Sequence, residues 1–278
     1  MCRWFTSAAL GLALAVSAAA DDPPKKDEPK TPSEKVAAIK KEVAAAEAAY
    51  SKAARDLDHE KKDDAEKDRK LYMEFSKKQE AGFAAALEIA KADPKSDAAF
   101  AALTWLIGTP RTFYVPVGKL ALELAAEHHA ANPKIAPTLK MLGYFTPPES
   151  IDSHQAAVAL LKAVVAKNPN KVARAYAAMG LAGQAVGRLA VAESKKDPDA
   201  DKLAAAAETE LEAVIKDHGD AEGSVDVGDW AKGELFELRN LRVGKVAPDI
   251  EGEDLDGVKF KLSDYRGKVV VIDFWGDW

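Results

Sequence analysis

The sequence predicts a mainly α-helical protein that ends in a short segment of β-structure. Alanine dominates the apolar residues and only 7% of the chain is aromatic, a composition typical of closely packed helices. Ala/Leu-rich stretches end at Asp93-Pro94, Asn132-Pro133 and Asn168-Pro169, and another helical stretch follows each of them. Near the C-terminus, the β-branched run 269–272 indicates a strand instead. We therefore expect a helical-repeat domain over residues 33–242 and an incomplete α/β unit over residues 243–278.

The first twenty residues have the features of a secretory signal peptide. Arg3 is their only charge, an apolar run covers residues 8–16, and the small residues 17–20 allow cleavage after Ala20. The apolar run is too short to favour a permanent membrane span. We expect an exported protein of the bacterial periplasm or cell envelope. Cys2 is the single cysteine of the sequence, and cleavage would leave a mature chain without a thiol.

Composition and motifs argue against several classes of partner and cofactor. The formal net charge is −6 and the Lys and Arg residues have acidic neighbours, so we expect no nucleic-acid partner. The sequence has no P-loop, no Gly-x-Gly-x-x-Gly fingerprint and no Gly-x-Ser-x-Gly motif. We predict no cofactor and no metal, because the histidines lack the spacing of metal ligands and are expected to be solvated. These histidines are His59, His128, His129, His154 and His218.

Residues 21–32 are predicted to form a solvated linker that leads into a long helix. Asp, Pro, Lys and Glu fill most of the linker, and no large apolar side chain lies in it. Thr31-Pro32-Ser33-Glu34 has the residues of a helix start, with Thr31 as N-cap, proline in the first turn and Glu34 at the capping-box position. Apolar residues then recur at spacings of three and four from Val36 to Leu57 and again at Leu71, which predicts one continuous helix. The charged stretch 58–70 is interpreted as a solvated face of that helix, in preference to an oligomerising coiled coil.

The remaining helices are expected to form pairs separated by proline turns. The three Pro residues of these turns are 39 and 36 residues apart, a period typical of tetratricopeptide-like solenoids. Helices are predicted over residues 81–92, 119–131, 154–167 and 202–216. Such a domain could present a groove to a protein partner or act as a spacer, and both interpretations stay open. The loop 108–118 contains Phe113 and Tyr114, for which core packing is favoured over a contact site.

The C-terminal segment is predicted to contain a hairpin, a helical turn and a central strand. Asp256-Gly257 precedes an alternation of apolar residues and lysines over residues 258–262, which indicates a half-buried β-hairpin. Ser263 is expected to cap a single helical turn that closes at Gly267. The strand that begins at Val269 is expected to be buried on both faces, as in the centre of a sheet.

These elements resemble the first part of the thioredoxin-like redoxins of the cell envelope. The resemblance rests on Gly244-x-x-Ala247-Pro248, the hairpin, the turn ending in Gly267-Lys268, and a strand with the pattern Val-Ile-Asp-Phe-Trp-Gly-x-Trp. It covers residues 243–278. In that family the next residue is the first cysteine of a Cys-x-x-Cys pair. The resemblance implies an exported thiol-disulfide oxidoreductase whose partners are protein dithiols and disulfides, and a chain that stops before its redox cysteines and is inactive as given.

The resemblance also implies roles for three residues. Asp273 matches the buried acid that exchanges a proton with the resolving thiol. Trp275 and Trp278 match the aromatic residues that pack beside the disulfide, although ordinary core packing would account for both of them as well.

Two other functions are compatible with the sequence. A peroxiredoxin of the alkyl-hydroperoxide-reductase type has a similar entry motif, but it usually places Pro-x-x-x-Thr-x-x-Cys where this chain has residues 275–278. A periplasmic helical-repeat scaffold without enzymatic activity is the third possibility.

Overall fold

The computed structural model of the protein describes residues 31–58, 60–221 and 227–276. The signal peptide, residues 21–30 of the linker, His59 and Trp278 lie outside these ranges. Within them the chain is mainly α-helical, as the sequence predicts. The helices and strands are α1 (Pro32–Ala54), α2 (Lys62–Ala92), α3 (Asp97–Ile107), α4 (Pro116–His128), α5 (Ala136–Tyr144), α6 (His154–Lys167), α7 (Lys171–Ser194), α8 (Ala200–His218), α9 (Val227–Asn240), β1 (Glu251–Glu253) and β2 (Lys259–Lys261). Short 3-10 helices cover Pro110–Tyr114, Pro133–Ile135 and Leu262–Tyr265.

Helix α1 begins as the capping-box pattern predicts. The Thr31 hydroxyl accepts a hydrogen bond from the Glu34 N–H at 3.2 Å, and the Glu34 carboxylate accepts one from the Thr31 N–H at 2.9 Å. Two of the N–H groups that a helix start leaves without intrahelical partners are therefore satisfied.

The prediction of one continuous helix past residue 58 is wrong, because the chain reverses between α1 and α2. Asp58 organises the reversal: its carboxylate accepts from the Glu60 N–H at 3.1 Å and lies 3.1 Å from the Lys61 ammonium. After the reversal, the Tyr50 and Phe75 rings stack with centroids 5.5 Å apart. Nearer the start of α1, Val43 lies opposite Gly82. The two helices are thus antiparallel, and the apolar seam of α1 packs against α2 of the same chain.

The helices from α2 to α9 form a two-row stack. Helices α2, α4 and α6 pack successively in one row, and α3, α5, α7 and α9 in the other, with α7 and α9 also packed against α8. The sequence placed both ends of α6 and the C-terminal end of α2 correctly. Helix α4 begins three residues earlier than predicted, because Pro116 occupies its first turn. The packing is that of stacked helix pairs, and assignment to the tetratricopeptide class stays a prediction.

Hydrogen bonds join each proline turn to the next one. The His129 ring nitrogen Nε2 lies 2.7 Å from the Pro94 carbonyl oxygen. Further along, the buried Asn168 amide donates to the carbonyls of Ala130 and Asn132 at 2.7 and 2.9 Å. These bonds run between equivalent turns of successive repeats, so they fix the spacing of the stack on the side where the turns lie.

The prediction that the histidines are solvated is wrong for two of them. His129 and His154 are 5% and 4% exposed. Each is tolerated in the core because one ring nitrogen bonds a turn carbonyl: Pro94 for His129, and Pro147 at 2.8 Å for His154. Burial lowers the pKa of His129, which favours the neutral ring.

The loop 108–118 contributes to the core, as favoured from the sequence. Phe113 is 3% exposed, whereas Tyr114 is 66% exposed and belongs to the surface. Arg111 ties this loop to α2 by donating to the Tyr72 and Ser76 hydroxyls.

Candidate functional site

The hairpin of the C-terminal segment forms as predicted, although it is more exposed than the sequence predicts. Strands β1 and β2 are antiparallel, with Gly252 opposite Phe260. Gly257 turns the chain with φ of +77°, a conformation that favours glycine. The Asp254 carboxylate accepts from the N–H groups of Asp256 and Val258 at 2.9 and 2.8 Å. The predicted half-burial is not observed, because every residue of β2 is exposed.

Asp249 joins the two ends of the hairpin. One carboxylate oxygen accepts from the Ser263 N–H at 2.8 Å, and the other from the Ser263 hydroxyl at 2.7 Å. These hydrogen bonds lower the pKa of Asp249, because they stabilise the charged carboxylate. The prediction that Ser263 caps the following turn is wrong: its hydroxyl is bonded to Asp249, and Asp264 accepts from the Lys261 N–H at 2.9 Å instead.

The turn that follows the hairpin presents aromatic residues. Phe260 and Tyr265 pack edge to face with centroids 6.5 Å apart, and the Lys268 ammonium lies 5.5 Å from the Tyr265 ring centroid. Gly267 has φ of +82°, as the predicted turn requires. Asp249 and this turn therefore hold residues 249–268 together by local contacts.

The predicted central strand does not form a ladder in the part of the chain that the structure describes. Residues 269–276 are outside any helix or strand. The segment still alternates like an extended chain: Val269 and Val271 are 97% and 90% exposed, and Val270 and Ile272 are 42% and 46% exposed. A strand needs a neighbour to pair its backbone groups, and β1 and β2 pair with one another.

The sequence-predicted site residues lie in this extended segment. Asp273 is exposed and so is Trp275, at 84%. The burial that the resemblance implies for Asp273 is therefore not observed. Trp278 lies outside the described residues, so its packing stays a prediction.

A second candidate site lies in the helical domain, in a groove of about 920 Å³ along α7. One wall is the chain from the end of α5 to Ser150, and the other includes Trp230 and Glu234 of α9. The floor contains Gly183 and Gly187: a Cβ added at Gly187 would meet nothing within 4 Å, and one at Gly183 would meet only Trp230, at 4.0 Å. These glycines make room for the groove, because they leave part of this face of α7 without side chains.

The charges of the groove are unevenly partnered. Arg188 faces Glu149 on the opposite wall, with 3.8 Å between their charged atoms. Glu234 forms no ion pair with a described residue of the chain. Burial and the negative charge of Glu237 raise the pKa of Glu234, and a hydrogen bond from Trp230 partly opposes this. Glu234 is thus a partly desolvated acid beside an indole ring.

Neither site has the arrangement of a metal centre. Across residues 31–58, 60–221 and 227–276, no three His, Cys, Asp or Glu side chains are grouped as metal ligands. Among the helices described, none is both long enough and apolar enough to cross a bilayer.

Sequence reasoning missed Asp249, Trp230 and Glu234. Asp249 lies inside a recognised motif, but its partner is 14 residues away and no local pattern connects them. The glycines at 180, 183 and 187 of α7 were an available signal for the groove, because a helix interior rarely contains so many glycines.

The chain is similar to bacterial thiol-disulfide oxidoreductases over a short stretch. It is 53% identical over 38 residues to the thiol-disulfide oxidoreductase ResA of Geobacillus thermodenitrificans, which is 14% of this chain and 22% of that protein. With ResA of Geobacillus kaustophilus the identity is 56% over 38 residues. With ResA of Bacillus anthracis it is 38% over 47 residues, or 17% of this chain and 27% of that protein. The chain therefore covers between 22% and 27% of the length of these relatives.

Two further comparisons give no relative. No protein-family model matches the chain. No solved structure matches it either.

Proposed function

We propose that this chain belongs to an exported thiol-disulfide oxidoreductase with a thioredoxin-like redox domain, of which residues 243–278 form the first part. The observation that carries the proposal is the local identity of 38–56% to ResA proteins. The matched stretches of 38 and 47 residues are close in length to the segment from Val243 to Trp278. The hairpin and the Gly257 and Gly267 turns, which form as the family motifs predict, give further support.

In this proposal the redox chemistry belongs to a cysteine pair that adjoins Trp278 in the whole protein. A thiolate attacks the disulfide of a substrate protein, forms a mixed disulfide and releases one substrate thiolate. The second cysteine, as a thiolate, then attacks the enzyme sulfur of the mixed disulfide and releases the second substrate thiolate. The substrate leaves as a dithiol and the enzyme becomes a disulfide. The 278 residues contain only Cys2 and do not supply these thiols.

Asp273 is proposed to accept the proton of the resolving thiol once the sheet is complete. The carboxylate would then be buried beside that thiol, where it could act as a general base. Trp275 and Trp278 would cover the disulfide from solvent. All three roles rest on the motif alone, because Asp273 and Trp275 are exposed and Trp278 lies outside the described residues.

The helical domain is proposed to end at Arg242, where the chain is anchored. The Arg242 guanidinium lies 2.6 Å from Glu193 at the end of α7 and 3.3 Å from Asp201 at the start of α8. Its side chain is 17% exposed, whereas Val243 is fully exposed and Gly244 has φ of +89°. The ion pairs of Arg242 with α7 and α8 are thus followed directly by an exposed residue, which supports a domain boundary there.

Two experiments test this function. Determining the coding sequence beyond the codon for Trp278 should reveal Cys-x-x-Cys in frame. A protein extended by that coding sequence should then reduce insulin disulfides with dithiothreitol as reductant, and its Cys→Ser variants should not. Peroxide consumption without insulin reduction would favour the peroxiredoxin alternative and overturn the proposal.

A substitution in the extended protein tests Asp273 separately. Asp273→Asn should slow insulin reduction and change its pH profile, because the amide cannot accept the proton. Asp256→Asn, in the hairpin turn, is the matched control and should leave the profile unchanged. An unaltered profile for Asp273→Asn would remove Asp273 from the mechanism.

A further inference from the structure

The groove along α7 has the length of a short peptide segment. Its lining residues on α7 extend from Met179 to Lys195, which corresponds to about 24 Å at 1.5 Å per helical residue. At roughly 3.3 Å per residue, about seven residues of extended chain fit along it. Because the groove is open to solvent along α7, it would not enclose a small molecule on most sides, as ligand pockets usually do.

The floor of the groove permits close approach of a second chain. Gly183 and Gly187 lie one helical turn apart and direct no side chain into the groove. By contrast, Gly180 is used within the fold, because a Cβ there would lie 3.2 Å from the Cα of Gly143 on α5. The stacking of the helices therefore explains Gly180, and it leaves Gly183 and Gly187 without a packing role.

The wall formed by α9 has the chemistry to bind a cation. Glu234 is half-buried and forms no ion pair with any residue in the described ranges, and the flat indole of Trp230 lies next to it. A Lys or Arg side chain could stack on this indole while its charge meets the carboxylate. Burial and the nearby Glu237 make the charge on Glu234 unfavourable, and the hydrogen bond from Trp230 only partly offsets this, so a cation there would relieve an existing cost.

The cationic side chains that line the groove do not pair with Glu234. Arg188 faces Glu149 on the other wall. Gly183 is the glycine next to Trp230, and Lys195 lies twelve residues further along the chain. This separation corresponds to about 18 Å of helix. Across such a distance, water and salt screen most of the attraction.

We propose that this groove binds an extended segment of a partner protein and that a Lys or Arg side chain of the segment occupies the position between Trp230 and Glu234. The segment lies along the glycine floor of α7. Binding requires no thiol, so it does not depend on the proposed redox function.

The test uses the chain as given and labelled peptides of defined sequence. Fluorescence anisotropy is measured with Ser-Thr-Val-Lys-Val-Thr-Ser and with the same peptide carrying Gln or Glu in place of Lys. The Lys peptide should bind at least about tenfold more tightly than the Gln peptide, as expected for a charge-assisted contact. Equal binding of the three peptides would overturn the proposal.

Variants of the protein locate the contact. Glu234→Gln keeps the shape of the side chain and should remove the preference for Lys over Gln. Glu210→Gln, at an exposed site on α8 away from the groove, should keep the preference. If Glu234→Gln binds the Lys peptide as the unmodified chain does, the basic residue does not lie at Glu234 and the proposal fails.

A second pair of variants tests the glycine floor. Gly187→Leu fills the groove and should weaken binding of the Lys peptide by at least about tenfold, since the segment is sterically displaced. Gly233→Leu is matched, because Gly233 is also helical with nothing within 4 Å and does not line the groove. Circular dichroism melts verify that the Gly187→Leu and Gly233→Leu variants both fold. If Gly187→Leu does not fold, Glu234→Gln still tests where the segment binds.

A small cation serves as the final competitor. N-acetyl-lysine methylamide contains the charge without the chain, so it should compete far less well than the unlabelled Lys peptide. Equal competition would show a site for small cations and would overturn the assignment of an extended segment. None of these outcomes involves disulfide reduction, so failure here leaves the proposed redox function intact.

Discussion

Removing the Asn168 side chain should separate the stacked turns of the helical domain. Asn168 is 3% exposed and makes three hydrogen bonds through its amide. It donates to the carbonyls of Ala130 and Asn132 at 2.7 and 2.9 Å and accepts from the Asn170 N–H at 2.9 Å. In Asn168→Ala all three are lost, and the Ala130 carbonyl is left in a buried position without this donor.

The expected loss of stability in Asn168→Ala follows from the number of hydrogen bonds that it removes. A net contribution of about 1 kcal/mol for each hydrogen bond gives a loss of about 3 kcal/mol in the free energy of unfolding. For a helical domain of this size, the melting temperature should fall by about 9 °C. Asn168→Asp should be at least as damaging, because its carboxylate would face two carbonyl oxygens and could not donate to them.

The matched control is Asn132→Ala, in the equivalent turn of the preceding repeat. Its side chain accepts a single hydrogen bond, from the Lys134 N–H at 3.0 Å, so the expected loss is about 1 kcal/mol. Urea denaturation monitored by circular dichroism measures both variants. If Asn168→Ala costs no more than Asn132→Ala, the bonds between turns do not hold the stack, and the helix faces alone determine the spacing.

Three further predictions concern glycine packing, a buried histidine and the hairpin. Gly118→Ala should destabilise the fold by about 1–3 kcal/mol, because the new Cβ would lie 2.1 Å from the Thr112 carbonyl oxygen. Gly233→Ala, in open space, should stabilise the fold by about 0.5–1 kcal/mol. Equal melting temperatures of the two variants would contradict this prediction. Burial lowers the pKa of His129 from the ordinary histidine value of 6.5, so the folded state binds fewer protons than the unfolded state. The contribution of His129 to stability is therefore present above pH 6.5 and is lost as the pH falls below 6.5. In urea melts between about pH 7.5 and about pH 5.5, His129→Gln should therefore lose less stability than the unmodified chain; a similar loss would show that His129 does not titrate in this way. Asp249→Ala should accelerate amide hydrogen exchange at Ser263 while Asp256→Ala does not, and unchanged exchange in Asp249→Ala would mean that the carboxylate does not hold the turn.

The parts of the fold that sequence predicted correctly depend on local chemistry. The side chains of Thr31 and Glu34 each accept from the other's backbone N–H within one turn, and proline is compatible with the first turn of a helix but not with its interior. The same holds for Gly257 and Gly267, whose positive φ is a property of the turn itself. Such features need no knowledge of distant residues, so the pattern along the chain was sufficient.

The errors concern features that depend on distant partners. The apolar spacing ran from Val36 to Leu57 and resumed in phase at Leu71, and contacts between distant residues, such as Tyr50 with Phe75, distinguish a helical hairpin from one long helix. His129 and His154 were expected in solvent because histidine alone gives no sign that a turn carbonyl will form a hydrogen bond with its ring. Likewise, the candidate groove arises from α7 and α9 together, and the sequence separates Gly183 and Glu234 by a whole helix.

The exposed segment after Gly267 indicates what a complete redox domain would gain by folding onto it. Five apolar side chains, at residues 269–272 and 274, are between 42% and 97% exposed. Burying a side chain of this kind fully contributes roughly 1.5–3 kcal/mol, so the segment offers on the order of 10 kcal/mol to whatever covers it. The hairpin β1–β2 also exposes apolar side chains, such as Leu255 at 106% and Val258 at 59%, and local bonds such as those from Asp249 hold it. In the proposed redox domain, the segment from Val269 would therefore contribute driving force for adding further strands, together with the apolar side chains that the hairpin exposes.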